Sequence, residues 1–380
     1  MSNKSTTLIY GLEPRVANSA LKSTKELYFL TGDNTGNLAF NHAIDMQVKH
    51  DTGFMRWDKV PSDPTLEVTV VPCANQVGEH VNLGMFVDNF EKLNTTVTAI
   101  GLGAQSGMNG SIPNVPEGTL KWLAAMARKA KSDRPNIGVR GPFTKKVLDH
   151  YGFADNTEVL GCPTLFINPN KNLGELIASN VKPIKRVAVT AGHQKWQHLK
   201  LLEQSLVNMV TATQGSYVAQ SAFEMVVLCR GEAETLEKET FDECKSYLMP
   251  DVDDEAFIEW TRSFGDVFFD ISHWMEHYRK FDFVVGLRIH GVMLALQAGI
   301  PALCIVHDSR TLELCETMMV PYVKAGDFIK GMHIEDLQES FNFDPVAFDK
   351  NRMALGNRYL SFLEENGVTP TEHLVSLIKG

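Results

Sequence analysis

Short apolar runs alternate with longer amphipathic stretches along most of the chain. In the first half the runs at Leu27–Leu30, Leu66–Val71, Val97–Gly101, Asn136–Arg140 and Glu158–Leu160 have strand length. Between them Leu38–His50, Leu83–Leu93, Glu117–Lys131 and Phe143–His150 carry helical spacing. Such an alternation predicts a mostly parallel sheet covered on both faces by helices. The polar stretch Asn180–Ile184, with its proline, reads as a linker, and the alternation then restarts. Strands are expected at Arg186–Thr190, Glu224–Leu228, Asp266–Asp270, Phe281–Gly286 and Ala302–Val306. Helices are expected at Trp196–Val210, Glu232–Tyr247, Glu255–Phe264, Ser272–Lys280, Arg288–Ala298 and Thr311–Met318.

The tail, Ile334–Gly380, is helical and carries no strand. Leu355, Tyr359, Phe362 and Leu363 share one face at helical spacing. That face needs a partner, so the tail is expected to return to the first lobe. The predicted fold is α/β, with two Rossmann-like lobes facing a cleft. Residues 1–183 form the first lobe, 184–330 the second, and 331–380 the returning helices. Ligands in such folds sit at the C-terminal ends of the strands.

Composition narrows the class. The chain has 380 residues, 44% hydrophobic and 22% charged, which excludes collagen, a disordered tail protein and a disulfide-stapled mini-domain. A net charge of -10 without a basic block argues against coating nucleic acid, though not against a local basic pocket for a small anion. No apolar stretch reaches the ~18 residues of a membrane span. Nor does a signal-peptide core follow the polar start. Six scattered cysteines without a C-x-x-C pair argue against zinc and disulfides, and suit a reducing cytoplasm.

Five segments carry candidate chemistry. In Phe281–Val292 (FDFVVGLRIHGV) a buried strand ends at Gly286, then Arg288 and His290 precede a helix. A helix N-terminus offers free N–H groups to an anion. Arg288 adds a forked cation, and His290 a group that titrates near neutral pH. An isolated R-x-H is most often a capped turn; the strand before it and the helix after it supply the binding context. Asn136–Thr144 (NIGVRGPFT) repeats the design, with Arg140 at a strand end and Pro142 starting a helix. Phe29–Phe40 (FLTGDNTGNLAF) reads as a strand entering a loop with Asn34 and Asn37; it has no G-K-[ST] and is not a Walker loop. Ala99–Gly107 (AIGLGAQSG) offers Gln105 and Ser106 to a sugar hydroxyl, as Asn75 does from the loop after Leu66–Val71. Cys304–Arg310 (CIVHDSR) puts His307, Asp308 and Arg310 at the same sheet edge as His290. Cys162, in Gly161–Thr164 (GCPT), reads as a buried small thiol rather than a nucleophile, because no base stands near it in the sequence.

Taken in order, FLTGDNTGNLAF, AIGLGAQSG, NIGVRGPFT, GCPT and FDFVVGLRIHGVMLALQAGIPAL resemble the polysaccharide pyruvyl transferases over roughly Leu27 to Val323. The R-x-H-G turn, followed by a helix and GIP, is the most specific element. The family's N-x-G-D loop reads N-T-G-N here, with Asn37 in place of the acid. The resemblance implies a fold like the GT-B glycosyltransferases. It also implies transfer of a pyruvyl group from phosphoenolpyruvate to two hydroxyls of one sugar, giving a cyclic ketal and phosphate. It implies that Arg140, Arg288, the backbone at Ile289, His290 and Arg310 bind the donor, with Arg288 and His290 catalytic. The acceptor is expected near Asn34, Asn37, Asn75, Gln105 and Ser106.

Phosphoenolpyruvate is a co-substrate, and neither a cofactor nor a metal is expected. The partners are that donor and a sugar or glycan acceptor, free or lipid-linked. The expected location is the cytoplasm, with a peripheral place at the membrane open.

Two other readings remain at this stage. One is a nucleotide-sugar glycosyltransferase of the same fold, binding a diphosphate at the same helix. The other is a carbohydrate-binding module, which would need aromatic platforms, whereas Trp57, Trp122, Trp196, Trp260 and Trp274 are dispersed.

Overall fold

The computed structural model describes residues 6–380. Two six-stranded sheets, parallel throughout, organise the chain. The first contains β1 (Thr6–Tyr10), β2 (Phe54–Met55), β3 (Leu66–Pro72), β4 (Thr96–Leu102), β5 (Ile137–Val139) and β6 (Thr157–Val159), in the order β2-β1-β3-β4-β5-β6. The second contains β7 (Val187–Thr190), β8 (Ser216–Val218), β9 (Gly265–Asp266), β10 (Phe283–Gly286), β11 (Ala302–Val306) and β12 (Tyr322–Lys324), in the order β12-β11-β10-β7-β8-β9. Counted within its own lobe, the second order is that of the dinucleotide-binding Rossmann sheet; the first follows the flavodoxin-like order. The direction of winding reverses between β1 and β3 in one lobe and between β7 and β10 in the other. Helices leave such neighbouring strands toward opposite faces, which opens a crevice at their C-terminal ends.

The β7–β10 junction depends on a glycine. Gly286 pairs with Thr190 and has a φ of 150°. A Cβ there would lie 2.3 Å from the Thr190 carbonyl oxygen and 2.4 Å from its Oγ1. Only glycine lets the two strand ends approach this closely.

Several elements depart from the hydrophobic pattern. Leu27–Leu30 belongs to a helix, Thr24–Leu30, and not to a strand. Its signal is local: Ser23 caps the helix by accepting from Glu26 N–H at 3.2 Å. Leu27 joins a buried apolar cluster of second-lobe residues that includes Val226 and Met225, while Phe29 is 57% exposed. Glu224–Leu228 is likewise helical, within Phe223–Cys229, and the expected strand is instead the three-residue β8. Packing against Leu27 and Tyr28 decided this apolar run, which periodicity alone cannot assign. The strand expected at Asp266–Asp270 stops at Asp266, because Asp270 already caps helix Ile271–Tyr278. Leu83–Leu93 is a 3-10 turn, Gly84–Phe86, followed by a short helix, Val87–Glu91. Strands β1, β2 and β12 had no counterpart in the expected set.

In the tail, the long helix Pro345–Glu365 and helix Glu372–Lys379 bury Leu355, Tyr359, Phe362, Leu363 and Leu374. These join an apolar cluster with Ile44, Phe166, Leu173 and Ile177 of the first lobe. Arg352 is fully buried and donates to the carbonyls of Leu165, Asn168 and Asn170. Across the cleft, Glu313 accepts from Thr144 N–H and Oγ1 at 2.6 and 2.7 Å. Ser309 Oγ bonds Ser106 N and O at 2.9 Å, and Thr35 N–H donates to Gln220 O at 2.9 Å. Polar bonds in three places therefore hold the lobes against each other.

Candidate active site

The β7–β10 crevice holds the densest chemistry. Arg288 is the N-cap residue of helix Ile289–Gln297, so it stands where the strand ends and the helix begins. Its N–H donates to Thr190 Oγ1 at 3.2 Å, and its Nη2 to Gly192 O at 3.3 Å. The guanidinium lies 4.6 Å from the centre of the Trp196 ring. Its Nε is buried without a partner. Burial, and then the charge of Arg310, lowers its pKa to about 10, so it stays cationic at neutral pH. Ile289 opens the helix, and its N–H is among the first-turn donors that a helix leaves unpaired.

A cavity of about 440 Å³ opens here between the lobes. Arg288, Arg310, His307, Asp308 and Trp196 form its second-lobe wall; Tyr28, Asn34, Asn75, His80 and Gln105 face them from the first. Arg310 Nη2 donates to Asp308 Oδ2 at 3.2 Å, and its Nε is buried and unpartnered. Burial raises the pKa of Asp308, but Arg310, His307 and Thr311 N–H outweigh it, and the carboxyl sits below its usual range. Among the described residues Asp308 is the one carboxylate within ion-pair distance of these arginines.

His290, the second residue of helix Ile289–Gln297, is half-buried and is not on the wall of this cavity; its ring lies 5.5 Å from that of Phe40. Burial first, then the charges of Arg140 and Arg310, hold its pKa well below 6.5. In the absence of an anion it is a neutral imidazole at pH 7. Its Nε2 lies 3.9 Å from Cys162 Sγ, which accepts from Thr164 Oγ1 at 3.2 Å. The base that the sequence did not place near Cys162 therefore comes from the other lobe.

Arg140 occupies a deeper layer. It is 1% exposed, with Nε on Gly101 O at 2.8 Å and Nη2 on Cys73 O at 3.5 Å. Gly103 makes the room: a Cβ there would lie 2.8 Å from Arg140 Cδ. The side chain is on the wall of neither open cavity, and it reaches His290 by its charge.

The first lobe has its own crevice at β1 and β3. A cavity of about 620 Å³ is lined there by Gly11, Pro72, Asn37, Asn41, Asn75, Gln76 and Trp57, among others. Asp33, Asn75 and His80 line both cavities, which are thus continuous. Asn75 Nδ2 donates to Gln105 Oε1 at 2.6 Å. Asn34 Oδ1 accepts from Gly36 N–H, and Asn37 Nδ2 donates to Thr31 and Gly32 carbonyls, so both brace their own loop. Ser106 is on neither cavity wall; its backbone is the strap to Ser309.

Residues outside the expected set complete the pocket. Trp196 stands just before the 3-10 turn Gln197–Leu199, with one ring serving both Arg288 and His307. Fully buried Glu203 accepts from Gly192 N–H at 2.9 Å and from Tyr217 OH, anchoring the residue whose carbonyl holds Arg288. Burial pushes the pKa of Glu203 up. A tryptophan or glutamate inside a helical run gives no sign of this in one dimension.

A two-lobed α/β protein of the GT-B type, with an arginine-bearing pocket continuous with a second one of mixed polar and aromatic lining, is the class that this geometry defines. The family model for polysaccharide pyruvyl transferase matches residues 55–309, and the chain belongs to that family. The match contains Arg140, Arg288, Ile289 and His290; Asn34, Asn37 and Arg310 lie outside it.

Among solved structures the chain is similar to UDP-GlcNAc 2-epimerase from Methanocaldococcus jannaschii, at 11% identity and a TM-score of 0.42, covering 94% of this chain and 99% of that one. UDP-N-acetylglucosamine 2-epimerase from Rickettsia bellii is similar at 11% identity and a TM-score of 0.46, covering 96% of each chain. The trehalose-6-phosphate synthase OtsA is similar at 9% identity and a TM-score of 0.45, also covering 96% of each. Likeness at this distance bears on neither substrate nor residues. No curated protein matches the chain.

Proposed function

We propose that the chain transfers the pyruvyl group of phosphoenolpyruvate to two hydroxyls of one sugar residue, forming a cyclic ketal and releasing phosphate. The observation that carries this reading is the pair Arg288 and Arg310 on one cavity wall, with Arg310 and the buried Arg140 acting by charge on the imidazole of His290. Phosphoenolpyruvate packs about three negative charges into one small molecule, two on phosphate and one on carboxylate. Forked guanidinium groups suit those planar anions, and the helix start at Ile289 adds backbone donors. Arg288 and Arg310 grip the donor, while Arg140 supplies charge from beneath.

The reaction needs a proton on C3 of the enol, which makes C2 electrophilic. One sugar hydroxyl then bonds to C2, phosphate leaves, and the second hydroxyl closes the ring. His290 is neutral in the free enzyme, and an arriving trianion raises its pKa, since a nearby negative charge favours imidazolium. It then delivers the proton to C3 and recovers one from a hydroxyl. The acceptor lies across the cleft along Asn75 and Gln105, whose amides suit neutral hydroxyls. Asn34 and Asn37 shape that wall through their loop. The acceptor is a glycan in this reading, and the reaction uses no cofactor.

The test is thermal unfolding with phosphoenolpyruvate, UDP or GDP, together with phosphate release and product mass across simple glycosides. Stabilisation by phosphoenolpyruvate alone, with a pyruvyl mass gain, is the expected result. Stabilisation by UDP or GDP alone would transfer the case to a nucleotide-sugar enzyme.

A further inference from the structure

The cleft contains a second imidazole that the reaction above leaves unused. His307 directly follows β11 and lies on the wall of the arginine cavity. Its ring is 4.3 Å from that of Trp196, centre to centre, and Trp196 also carries the Arg288 guanidinium. Arg288, Arg310 and Asp308 all act on it, and Asp308 Oδ2 is 3.8 Å from its Nε2. Both ring nitrogens are buried and neither meets a partner in good hydrogen-bond geometry, although the Ile305 backbone and Asp308 both act on the ring. The other histidines on this wall are committed: His193 Nδ1 accepts from Lys195 N–H, and His80 Nε2 pairs with Asn75. A buried imidazole with both nitrogens unpaired is costly unless a ligand completes it. The groups around it are the ones that would hold a phosphate.

The proton balance of ketal formation asks for such a group. Two hydroxyls lose a proton each. One proton ends on C3; the other must reach the phosphate as the C2–O bond breaks, giving hydrogen phosphate. His290 serves the first transfer by giving its proton to C3 and recovering one from the second hydroxyl, the one that closes the ring after phosphate has left.

Resting on the phosphoenolpyruvate reading, we propose that His307 is a second catalytic residue, which takes the proton of the other hydroxyl and passes it to the departing phosphate. As the hydroxyl oxygen bonds to C2, its O–H bond breaks toward one ring nitrogen. The electron pair of the C2–O(phosphate) bond leaves with phosphate, and the proton follows it. The ring begins and ends neutral. Burial, with Arg310 and Arg288, lowers the pKa of His307 to about 4, against the pull of Asp308. It is therefore ready as an acceptor at neutral pH.

The experiment uses the full chain and two variants. His307→Phe keeps an aromatic ring against Trp196 and removes both nitrogens. His307→Gln keeps hydrogen-bonding atoms without a titrating ring. Turnover at saturating donor and acceptor should fall in both by ~10²–10⁴-fold, the usual effect of losing a general acid–base group. Thermal stabilisation by phosphoenolpyruvate should stay at the wild-type level in both. Wild-type turnover in His307→Gln would overturn the proposal, and so would loss of phosphoenolpyruvate stabilisation in both variants, which would make His307 a binding group. A wild-type protein that neither binds phosphoenolpyruvate nor releases phosphate from it would overturn the underlying reading instead. A fault in the inference alone leaves wild-type activity intact.

Discussion

The two lobes solve one structural problem and fill it with opposite chemistry. Each is a parallel sheet whose winding reverses beside a crevice, at β1 and β3 in one and at β7 and β10 in the other. The first-lobe crevice mixes amides with aromatic and aliphatic side chains and two aspartates, Asp33 and Asp58; its one arginine, Arg56, lies against the Phe29 ring. The second-lobe wall presents Arg288, Arg310, His307 and Asp308. Arg140 and Arg288 sharpen the contrast, because both end a strand and precede a helix. Arg140 is locked onto carbonyls within its sheet, whereas Arg288 caps a helix and faces the cavity. The lesson is that the same strand–turn–helix setting can place a cation inside the protein or on a cavity wall. The room left by the next strand decides which.

The largest expected effect breaks this contrast at the charged wall. Arg288→Ala should weaken phosphoenolpyruvate binding by about 2–5 kcal/mol, as for a desolvated charged contact. His290→Ala should instead lower turnover by ~10²–10⁴-fold with a smaller loss of affinity. An Arg288→Ala protein with an unchanged Michaelis constant for phosphoenolpyruvate would remove Arg288 from the donor site.

A smaller effect concerns pH. His290 and His307 are held neutral in the folded protein, the latter with a pKa of about 4 against 6.5 for a free imidazole. Between those values the unfolded chain binds more protons, so stability rises with pH and is lost on acidification. Each pKa unit is worth about 1.4 kcal/mol, which sets a ceiling of a few kcal/mol for His307. Glu203 and Glu313 oppose this, because burial raises their pKa values, so the comparison must be between proteins. The melting temperature of His307→Phe should fall less steeply than that of wild type from about pH 6.5 to about pH 4. Parallel curves would contradict a neutral buried ring.

The smallest effect sits on the amide wall. Replacing Asn75 and Gln105 with alanine should change the ranking of acceptor glycosides while leaving phosphoenolpyruvate affinity as it is. A shift in donor affinity with acceptor ranking untouched would place the acceptor elsewhere.

Much of this was legible in one dimension. FDFVVGLRIHGV carries strand, turn and helix start in adjacent residues, and that adjacency is what orients Arg288 and exposes Ile289 N–H. The alternation of apolar runs and amphipathic stretches likewise specified two parallel sheets, because burial on both faces demands apolar residues throughout a strand. The Leu27–Leu30 run misled, since four apolar residues suit a strand or a helix equally until Ser23 caps the turn and Leu27 finds the second lobe.

What only the tertiary structure decided is which distant residues share one space. His290 meets Cys162 across 128 positions, Thr144 meets Glu313 across 169, and Trp196 meets both Arg288 and His307. Local sequence determines dihedral preferences and the face that must be buried. It carries no record of which loop lies opposite, because that depends on how two separately wound sheets pack together. The arginine-walled cavity, with His307 on its wall, is a property of that packing.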